Sequence, residues 1–374
     1  MNYCDVLIVG AGLAGMVMAE RLALIGKRCI VIDKRAHIGG NAFDYIDQGG
    51  VLVHAYGPHL FHTNSKRVAD YLSQFTTFIP TAYTASSFTH RRHWSFPVNL
   101  KTYEQLIGRP STTEEMEDYL AKNRISIPNP KNSEEAILSQ VGHELYEMFY
   151  KGYTKKQWGR DPKDLDASVC ARIPIRTNRN DLYFNDTYQM MPVAGYTAMF
   201  ENMLHSSQNI EFIPNMSFYD FSWQCIYKHL VYTGPIDEFF LYEHGRLPYR
   251  TLRFEHETIV PEHLVRGFWQ PTTSVAYPND FDYTRIVEIK HATGQKCPNT
   301  TIVREYPKEF VPGDTPYYPI PNAEAKSIYK MYEARAEQLS NVTFVGRLAT
   351  YKYLNMDQVV AMSLAEFERL REKI

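Results

Sequence analysis

Residues Asp5–Arg35 read DVLIVGAGLAGMVMAERLALIGKRCIVIDKR. An apolar run, Val6 to Val9, turns through Gly10-Ala11-Gly12-Leu13-Ala14-Gly15 and continues as a helical pattern to Gly26. A second β-rich run, Cys29 to Ile32, then ends on Asp33. Strand, glycine turn, helix, strand and terminal acid make up the dinucleotide-binding fingerprint. Each glycine has a separate physical task. Gly10 makes the tight turn, Gly12 lets backbone approach a pyrophosphate, and Gly15 lets the helix pack on the strand. The helix that starts at Leu13 offers unpaired N–H groups and a positive dipole end to phosphate. Asp33, 23 residues after Gly10, stands where a carboxylate takes ribose hydroxyls. The alternative, a tight strand–helix turn without a ligand, explains the glycines but not the terminal acid.

A chain of 374 residues can bury a large core and is expected to form two or three domains. Its net charge of -2 gives no electrostatic case for nucleic acid or an acidic membrane as partner. No run approaches the length of a membrane span, and Val6 to Val9 leads into the glycine turn rather than a cleavage site. The five cysteines (Cys4, Cys29, Cys170, Cys225, Cys297) are scattered, which suits a reduced cytoplasmic protein with buried thiols. His54, His59 and His62 lie close together without a metal-binding spacing, so no metal is expected. Tyrosine outnumbers phenylalanine, 27 to 20. A buried tyrosine hydroxyl needs a partner, so the excess suits a half-polar cavity for base, sugar and phosphates, or an ordinary polar surface.

After Asp33, the run Lys34-Arg35-Ala36-His37-Ile38-Gly39-Gly40-Asn41 carries a glycine pair typical of FAD-binding chains. Gly49 to Val53 reads as a strand, followed by the aromatic, histidine-rich loop from His54 to Thr63. Ser65 to Phe75 reads as helix, and Thr76 to Phe96 as one or two strands. From Thr102 to Tyr150 the pattern is helical, with Glu134 to Tyr150 the clearest helix. Lys151 to Tyr188 reads as a long irregular loop, of a length that is more often functional than decorative. Pro192 to Leu204 resumes a helix, and Phe239 to Ile320 alternates in short runs that predict an antiparallel sheet. The chain closes with helix Ala323 to Leu339, strand Val342 to Val345, Gly346-Arg347, and a helix from about Met356 to Arg371.

Taken together, Gly10 to Gly15, His37 to Asn41, Tyr56 to Thr63, Lys151-Gly152-Tyr153-Thr154-Lys155-Lys156-Gln157-Trp158-Gly159, Arg172 to Arg176, Tyr232 to Asp237 and Gly346 to Tyr353 resemble bacterial UDP-galactopyranose mutase, in order and over nearly the whole chain. The resemblance implies a mixed α/β fold: a Rossmann-like FAD-binding domain with an inserted helical domain and an antiparallel β-sheet domain. The expected FAD-binding domain is discontinuous (1–65, 192–238 and 340–374). The helical domain with its substrate loop is expected at 100–170, and the substrate sheet at 66–99, 171–191 and 239–339. The resemblance further implies an isomerase that interconverts the pyranose and furanose forms of a nucleotide sugar, for cell-surface polysaccharide biosynthesis. In that family FAD must be reduced, and its N5 attacks the anomeric carbon with no net redox change. A homodimer and a transient reductant such as NAD(P)H are also implied.

Residue by residue, the resemblance makes Arg172 and Arg285 the diphosphate-binding, catalytic arginines, and a guanidinium fork is the right donor for a leaving diphosphate. Two surface arginines are the plainer reading. Tyr153 is expected to stack on the base, with Tyr183, Tyr318 and Tyr353 donating to phosphate; packing tyrosines are the alternative. Phe149, Thr154 and Trp158 are expected around the same pocket, Phe149 and Trp158 reading equally as core. His59 and His62 are expected beside the flavin or sugar, His62 and Tyr353 with catalytic roles, against histidines satisfied by backbone. The expected cofactor set is Gly10, Gly12, Leu13, Gly15, Asp33, Lys34, Gly40, Asn41, His59, His62, Gly346, Arg347, Tyr353, Asn355 and Met356, with Arg347 reaching the pyrophosphate and the helix at Met356 facing the flavin edge.

Three departures bear on the substrate. Tyr353-Leu354-Asn355-Met356 stands where the family has Tyr-Tyr-Asp-Met, Thr177 stands where an aromatic is common, and Thr81-Ala82-Tyr83-Thr84 lacks an asparagine. UDP-galactopyranose is the default expectation; a dTDP-6-deoxy sugar such as dTDP-fucopyranose, or UDP-N-acetylgalactosamine, is the alternative, with His59 and Asn355 among the substrate contacts. A FAD-dependent oxidoreductase and a non-catalytic flavin protein are the rival classes.

Overall fold

The structure, a computed structural model, describes residues 2–171, 173–320 and 322–374. Its first layer is a five-stranded parallel sheet in the order Ile210–Ile213, Cys29–Ile32, Asn2–Val9, Cys225–Tyr232, Val342–Phe344. The inner stretches Val6–Val9 and Cys29–Ile32 read as apolar runs because helices and loops cover both faces. On one face Val6, Ile8 and Val31 pack with Leu22 of helix Leu13–Leu24 and Val360 of helix Met356–Leu370. On the other, Leu7, Ile30 and Leu230 pack with Phe221 and Phe239. The last helix thereby returns the chain's end to its beginning, as the sequence predicts.

The second layer is a seven-stranded sheet in the order Tyr318–Pro319, Tyr249–Ile259, Thr300–Glu309, Arg285–Val287, Ser274–Ala276, Ala85–Thr89, Arg92–Phe96. It is antiparallel except where Ser274–Ala276 runs parallel to Ala85–Thr89. That parallel seam joins two distant chain segments, so no hairpin dictates its direction. Val287 of this sheet, and Ile289 just beyond its strand, pack into the first core. The helix Lys66–Leu72 also belongs to that core, through Val68, Tyr71 and Leu72, not to the sheet that the division at residue 66 gives it. Strand Tyr188–Pro192 pairs with Phe61–Thr63 and Phe78–Pro80 in a small sheet of three.

The helical layer comprises Leu100–Ile107, Thr113–Asn123 and Ser133–Leu145, continued by a π-helical turn, Tyr146–Lys151, and helix Gly152–Trp158. Two sequence expectations are corrected here. The helix expected from Glu134 to Tyr150 breaks at Gly142, at φ 77° and ψ -177°, where a Cβ would stand 2.3 Å from the Asn123 carbonyl oxygen. The loop expected from Lys151 begins with helix instead. Gly152 is there for close packing: a Cβ on it would lie 2.4 Å from the Pro278 carbonyl oxygen. The helix stops at Gly159, φ 63°, where the buried Arg250 guanidinium donates to the carbonyls of Lys156 and Gln157 and satisfies the helix's last acceptors. No helix among the described residues is long and apolar enough to cross a membrane.

Candidate active site

Three cavities run end to end between the layers. The first lies over the N-terminus of Leu13–Leu24 and is lined by Gly10, Gly12, Leu13, Asp33, Lys34, Gly40, Asn41, Gly346 and Arg347, among others. Its floor is bare backbone. Gly40 has φ +57°, and a Cβ on it would stand 2.9 Å from Gly12 Cα. A Cβ on Gly10, φ +104°, would meet Thr233 Oγ1 at 2.0 Å. The helix has Gly12 as its N-cap and no side chain capping it, so its first N–H groups face the cavity, the arrangement that binds phosphate. The Asp33 carboxylate accepts from the Ala11 and Arg35 N–H groups, each at 2.9 Å, holding the turn while still lining the cavity. Gly15, expected in the cofactor set, is not among the residues lining the cavity; it has the packing task read from the sequence, since its Cβ would fall 1.9 Å from the Gly10 carbonyl oxygen. The groove fits a dinucleotide along its floor.

The middle cavity shares Asn41, His59, Tyr317, Arg347 and Met356 with the first, so the two are continuous. Met356 opens the final helix, and the Asn355 N–H there donates to Gln358 Oε1 at 2.8 Å. Both Asn355 and Met356 line the cavity. His59 donates from its backbone N–H to His54 Nδ1 (3.0 Å), and its own Nδ1 lies 2.9 Å from the Gly57 carbonyl oxygen. Burial pushes the pKa values of His54 and His59 down to about 3, so both rings are neutral at neutral pH. His62 lies 2.9 Å by Nδ1 from Asp186 Oδ2 and stacks on Phe184, ring centroids 3.6 Å apart. Arg347 does not extend along the glycine floor. Its guanidinium donates to the carbonyls of Leu354 and Tyr317 at the junction of the two cavities, 5.2 Å from the Tyr353 ring centroid. Tyr318 and Tyr353 face each other at 5.5 Å. Trp158 packs behind both at 6.1 Å instead of forming the wall itself.

The third cavity shares Tyr83, Ile173, Tyr183 and Arg285 with the middle one. Arg285 stands on strand Arg285–Val287 and donates from Nε to Glu305 Oε2 at 2.7 Å. Burial opposes the guanidinium's charge most strongly, but the Glu305 carboxylate together with Tyr153, Tyr318 and Tyr83 outweighs it and holds the pKa of Arg285 above its ordinary value. Glu305 is fully buried, and its Oε1 has no hydrogen-bond partner among the described residues. Gly57 rests on this pair, since a Cβ there would come 3.0 Å from Glu305 Oε1. Tyr83, Tyr183 and Phe184 form an aromatic wall with centroids 5.1 to 5.6 Å apart. Phe149, Tyr150, Tyr153 and Thr154 line the far end. Besides lining this cavity, Phe149 packs on Trp94 and Phe96 in the helical core. Thr154 is buried, with Oγ1 3.4 Å from Cys170 Sγ. Arg172 lies outside the described residues.

The family model described as UDP-galactopyranose mutase matches residues 148–353, and one for an NAD(P)-binding Rossmann-like domain matches residues 8–75. A probable UDP-galactopyranose mutase from Klebsiella pneumoniae is 39% identical over 373 residues, covering 97% of this chain and 94% of the relative. The chain belongs to the UDP-galactopyranose mutase family. A dTDP-fucopyranose mutase from Escherichia coli is 37% identical over 361 residues, covering 94% of each protein. A crystal structure of reduced UDP-galactopyranose mutase shares the fold, with a TM-score of 0.76, 14% identity, and 99% and 96% of the two chains covered.

Against that family, the departures separate by position. Leu354 packs against the first core and offers only its carbonyl, to Arg347. Thr177 donates to Glu117 Oε1 in the helical layer and lines none of the three cavities. Asn355 and Tyr83 do line the middle cavity, so two of the departures lie at its wall. The sequence reading missed Glu305, Asp186, Phe184, Tyr317 and Tyr150. In YFNDTY, residues 183–188, Asn185-Asp186 reads as turn chemistry, and nothing in its spacing ties it to a histidine 124 residues away.

Proposed function

We propose that this chain is a flavin-dependent mutase interconverting the pyranose and furanose forms of a nucleotide-activated sugar, with UDP-galactopyranose the first substrate to test. The observation that carries this is the Arg285–Glu305 pair. A guanidinium held charged by a fully buried carboxylate lines a cavity continuous with the glycine-floored dinucleotide groove. An oxidoreductase acting on an uncharged substrate has no use for such a group beside its cofactor.

In this reading Gly10, Gly12, Leu13, Asp33, Lys34, Gly40, Asn41, Gly346, Arg347 and Met356 hold FAD. Reduced FAD, when bound, supplies a nucleophile for the anomeric carbon. The protein's part is to bind, orient and retain. Arg285, together with Arg172, takes the departing diphosphate and keeps it at hand for re-addition, so the nucleotide is never lost to solvent. The Nε–H bond to Glu305 fixes the plane of the guanidinium and leaves its Nη donors for phosphate oxygens. Tyr153 stacks on the pyrimidine while Tyr183, Tyr318 and Tyr353 surround the diphosphate and sugar, and His59 and Asn355 meet the sugar side. Phe149, Thr154 and Trp158 support that pocket. NAD(P)H as a transient reductant, a homodimer and a cytoplasmic location complete the proposal, on the strength of the family resemblance.

A second reading, the same chemistry on a dTDP-6-deoxy sugar, is favoured by the near-equal identity to the dTDP-fucopyranose mutase and by Asn355 in place of a carboxylate. Dithionite-reduced protein assayed anaerobically on UDP-galactose, UDP-N-acetylgalactosamine and dTDP-fucose, with products resolved by ring size, separates the two. A mutase makes many product molecules per reducing equivalent. One product per equivalent would make the protein an oxidoreductase.

A further inference from the structure

His62 sits on the short strand Phe61–Thr63, where side chains alternate in direction. Phe61 and Thr63 are buried, and His62 between them lines the middle cavity. A chain of hydrogen bonds, readable one link at a time, fixes what its ring can do. The Thr187 backbone N–H can only donate, and it lies 2.9 Å from Asn64 Oδ1, so that atom is the amide oxygen. Thr187 Oγ1 donates to the same oxygen at 3.1 Å. The Asn64 NH2 therefore faces Asp186, donating to Oδ1 at 3.0 Å. An ionised carboxylate only accepts, so its other oxygen, Oδ2, must receive a proton from His62 Nδ1 at 2.9 Å. Gln189 donates to the carbonyls of Phe184 and Asp186 and pins the loop that carries the carboxylate. The ring is held flat against Phe184 with 14° between the planes. Its Nε2 has no hydrogen-bond partner among the described residues.

The geometry points to Asp186 as a positioning residue that fixes His62 as the Nδ1–H tautomer, leaving Nε2 as a hydrogen-bond acceptor for an N–H or O–H group held in the middle cavity. This rests on the proposed function for the identity of that group: the N–H edge of a reduced flavin, or a sugar hydroxyl. Tautomer choice by a carboxylate on the far ring nitrogen is a general device for setting which face of an imidazole works. Asp186 also lines the middle cavity, but both of its carboxylate oxygens are engaged, Oδ1 by Asn64 and Oδ2 by His62. Its effect runs through the ring.

Asp186→Asn tests the assignment, because the variant keeps the shape and reverses one link. Asn64 still presents its NH2, so the new amide oxygen turns to it and the new NH2 faces His62 Nδ1. That nitrogen becomes an acceptor and the proton moves to Nε2. In 15N-histidine-labelled protein, the His62 signals (assigned by their loss in His62→Gln) should show Nδ1 protonated in the wild type and Nε2 protonated in Asp186→Asn. Turnover of the nucleotide sugar should fall about 100-fold, with FAD content retained. A shifted flavin midpoint potential at unchanged KM assigns the donor to the cofactor; a raised KM at unchanged potential assigns it to the sugar. A wild-type ring protonated on Nε2 overturns the proposal even if the variant fails to fold. So does an Asp186→Asn protein whose turnover, KM and potential all match the wild type. The tautomer is read without substrate, so a wild type inactive on every nucleotide sugar would defeat the proposed function and leave this result standing.

Discussion

The two ends of the cavity chain are built from different materials. The dinucleotide end is made of backbone: Gly10, Gly12 and Gly40 form its floor, and a Cβ on Gly10 or Gly40 would have no room. The far end is made of side chains delivered by separate elements, with Arg285 and Glu305 from neighbouring strands, Tyr83 from beside the sheet, Tyr183 from a loop and Tyr153 from a helix. A backbone site is specified by spacing within a few residues, and its ligand is gripped through dipoles and N–H groups common to every chain. A side-chain site takes its specificity from residues that only the finished fold brings together. It also tolerates unsatisfied groups: Glu305 Oε1 and Tyr150 Oη are both buried without a partner among the described residues.

The comparison predicts that the ends fail separately. Arg285→Ala should have the largest effect, reducing turnover by about 10³-fold while purified protein keeps its FAD. Because it strands the buried Glu305 carboxylate, it should also cost about 3–5 kcal/mol in urea unfolding. The pair Arg285→Met with Glu305→Gln should recover most of that stability and none of the turnover. Loss of FAD along with turnover would break the separation. Gly40→Ala is the converse: with φ +57° and a Cβ 2.9 Å from Gly12 Cα, it should lower FAD content at least tenfold, by roughly 1–3 kcal/mol of strain. UDP binding measured by calorimetry should stay within threefold. An equal loss of UDP affinity would mean that the ends are not independent.

The junction is tested by acid. His54 is fully buried with its pKa lowered to about 3 by desolvation. The unfolded state therefore binds a proton that the folded state refuses between about pH 6.5 and pH 3. Stability from this group is complete above pH 6.5 and is lost as pH falls through that window. His54→Asn keeps an acceptor for the His59 N–H and removes the titration. The slope of unfolding free energy between pH 6.5 and 4 should flatten by about 1 kcal/mol per pH unit; an unchanged slope would place the buried charge cost elsewhere. The smallest effect is expected at Tyr150. Tyr150→Phe removes a buried hydroxyl with no partner, so the ligand-free protein should melt about 1–2 °C higher. A lower Tm would mean that the hydroxyl is satisfied after all.

This division also governs what could be read from the sequence. The glycine end, the parallel sheet and the closing helix were legible because Gly10, Gly12, Asp33 and the apolar runs of the strands act over short distances. Gly142 breaks the helix expected from Glu134 to Tyr150, and Gly152 opens a helix where a loop was expected. Both are glycines because foreign backbone passes close by, at Asn123 and at Pro278, and no local pattern records that. Arg285, Tyr153 and Tyr318 came from resemblance alone. Glu305 and Asp186 were invisible because each matters through a partner 20 and 124 residues away, and only folding supplies the pairing. Leu354 shows the reverse error: a departure that looked informative in sequence turns its side chain into the core.

The most direct test is a crystal structure of the reduced protein with UDP-galactopyranose or dTDP-fucopyranose bound. The account predicts a diphosphate on the Arg285 Nη atoms, the sugar in the middle cavity beside His62, Asn355 and Tyr353, and FAD along Gly10, Gly12 and Gly40 with its ring at Asn41, His59 and Met356. A diphosphate bound away from Arg285, or a sugar separated from the flavin ring by intervening protein, would contradict it.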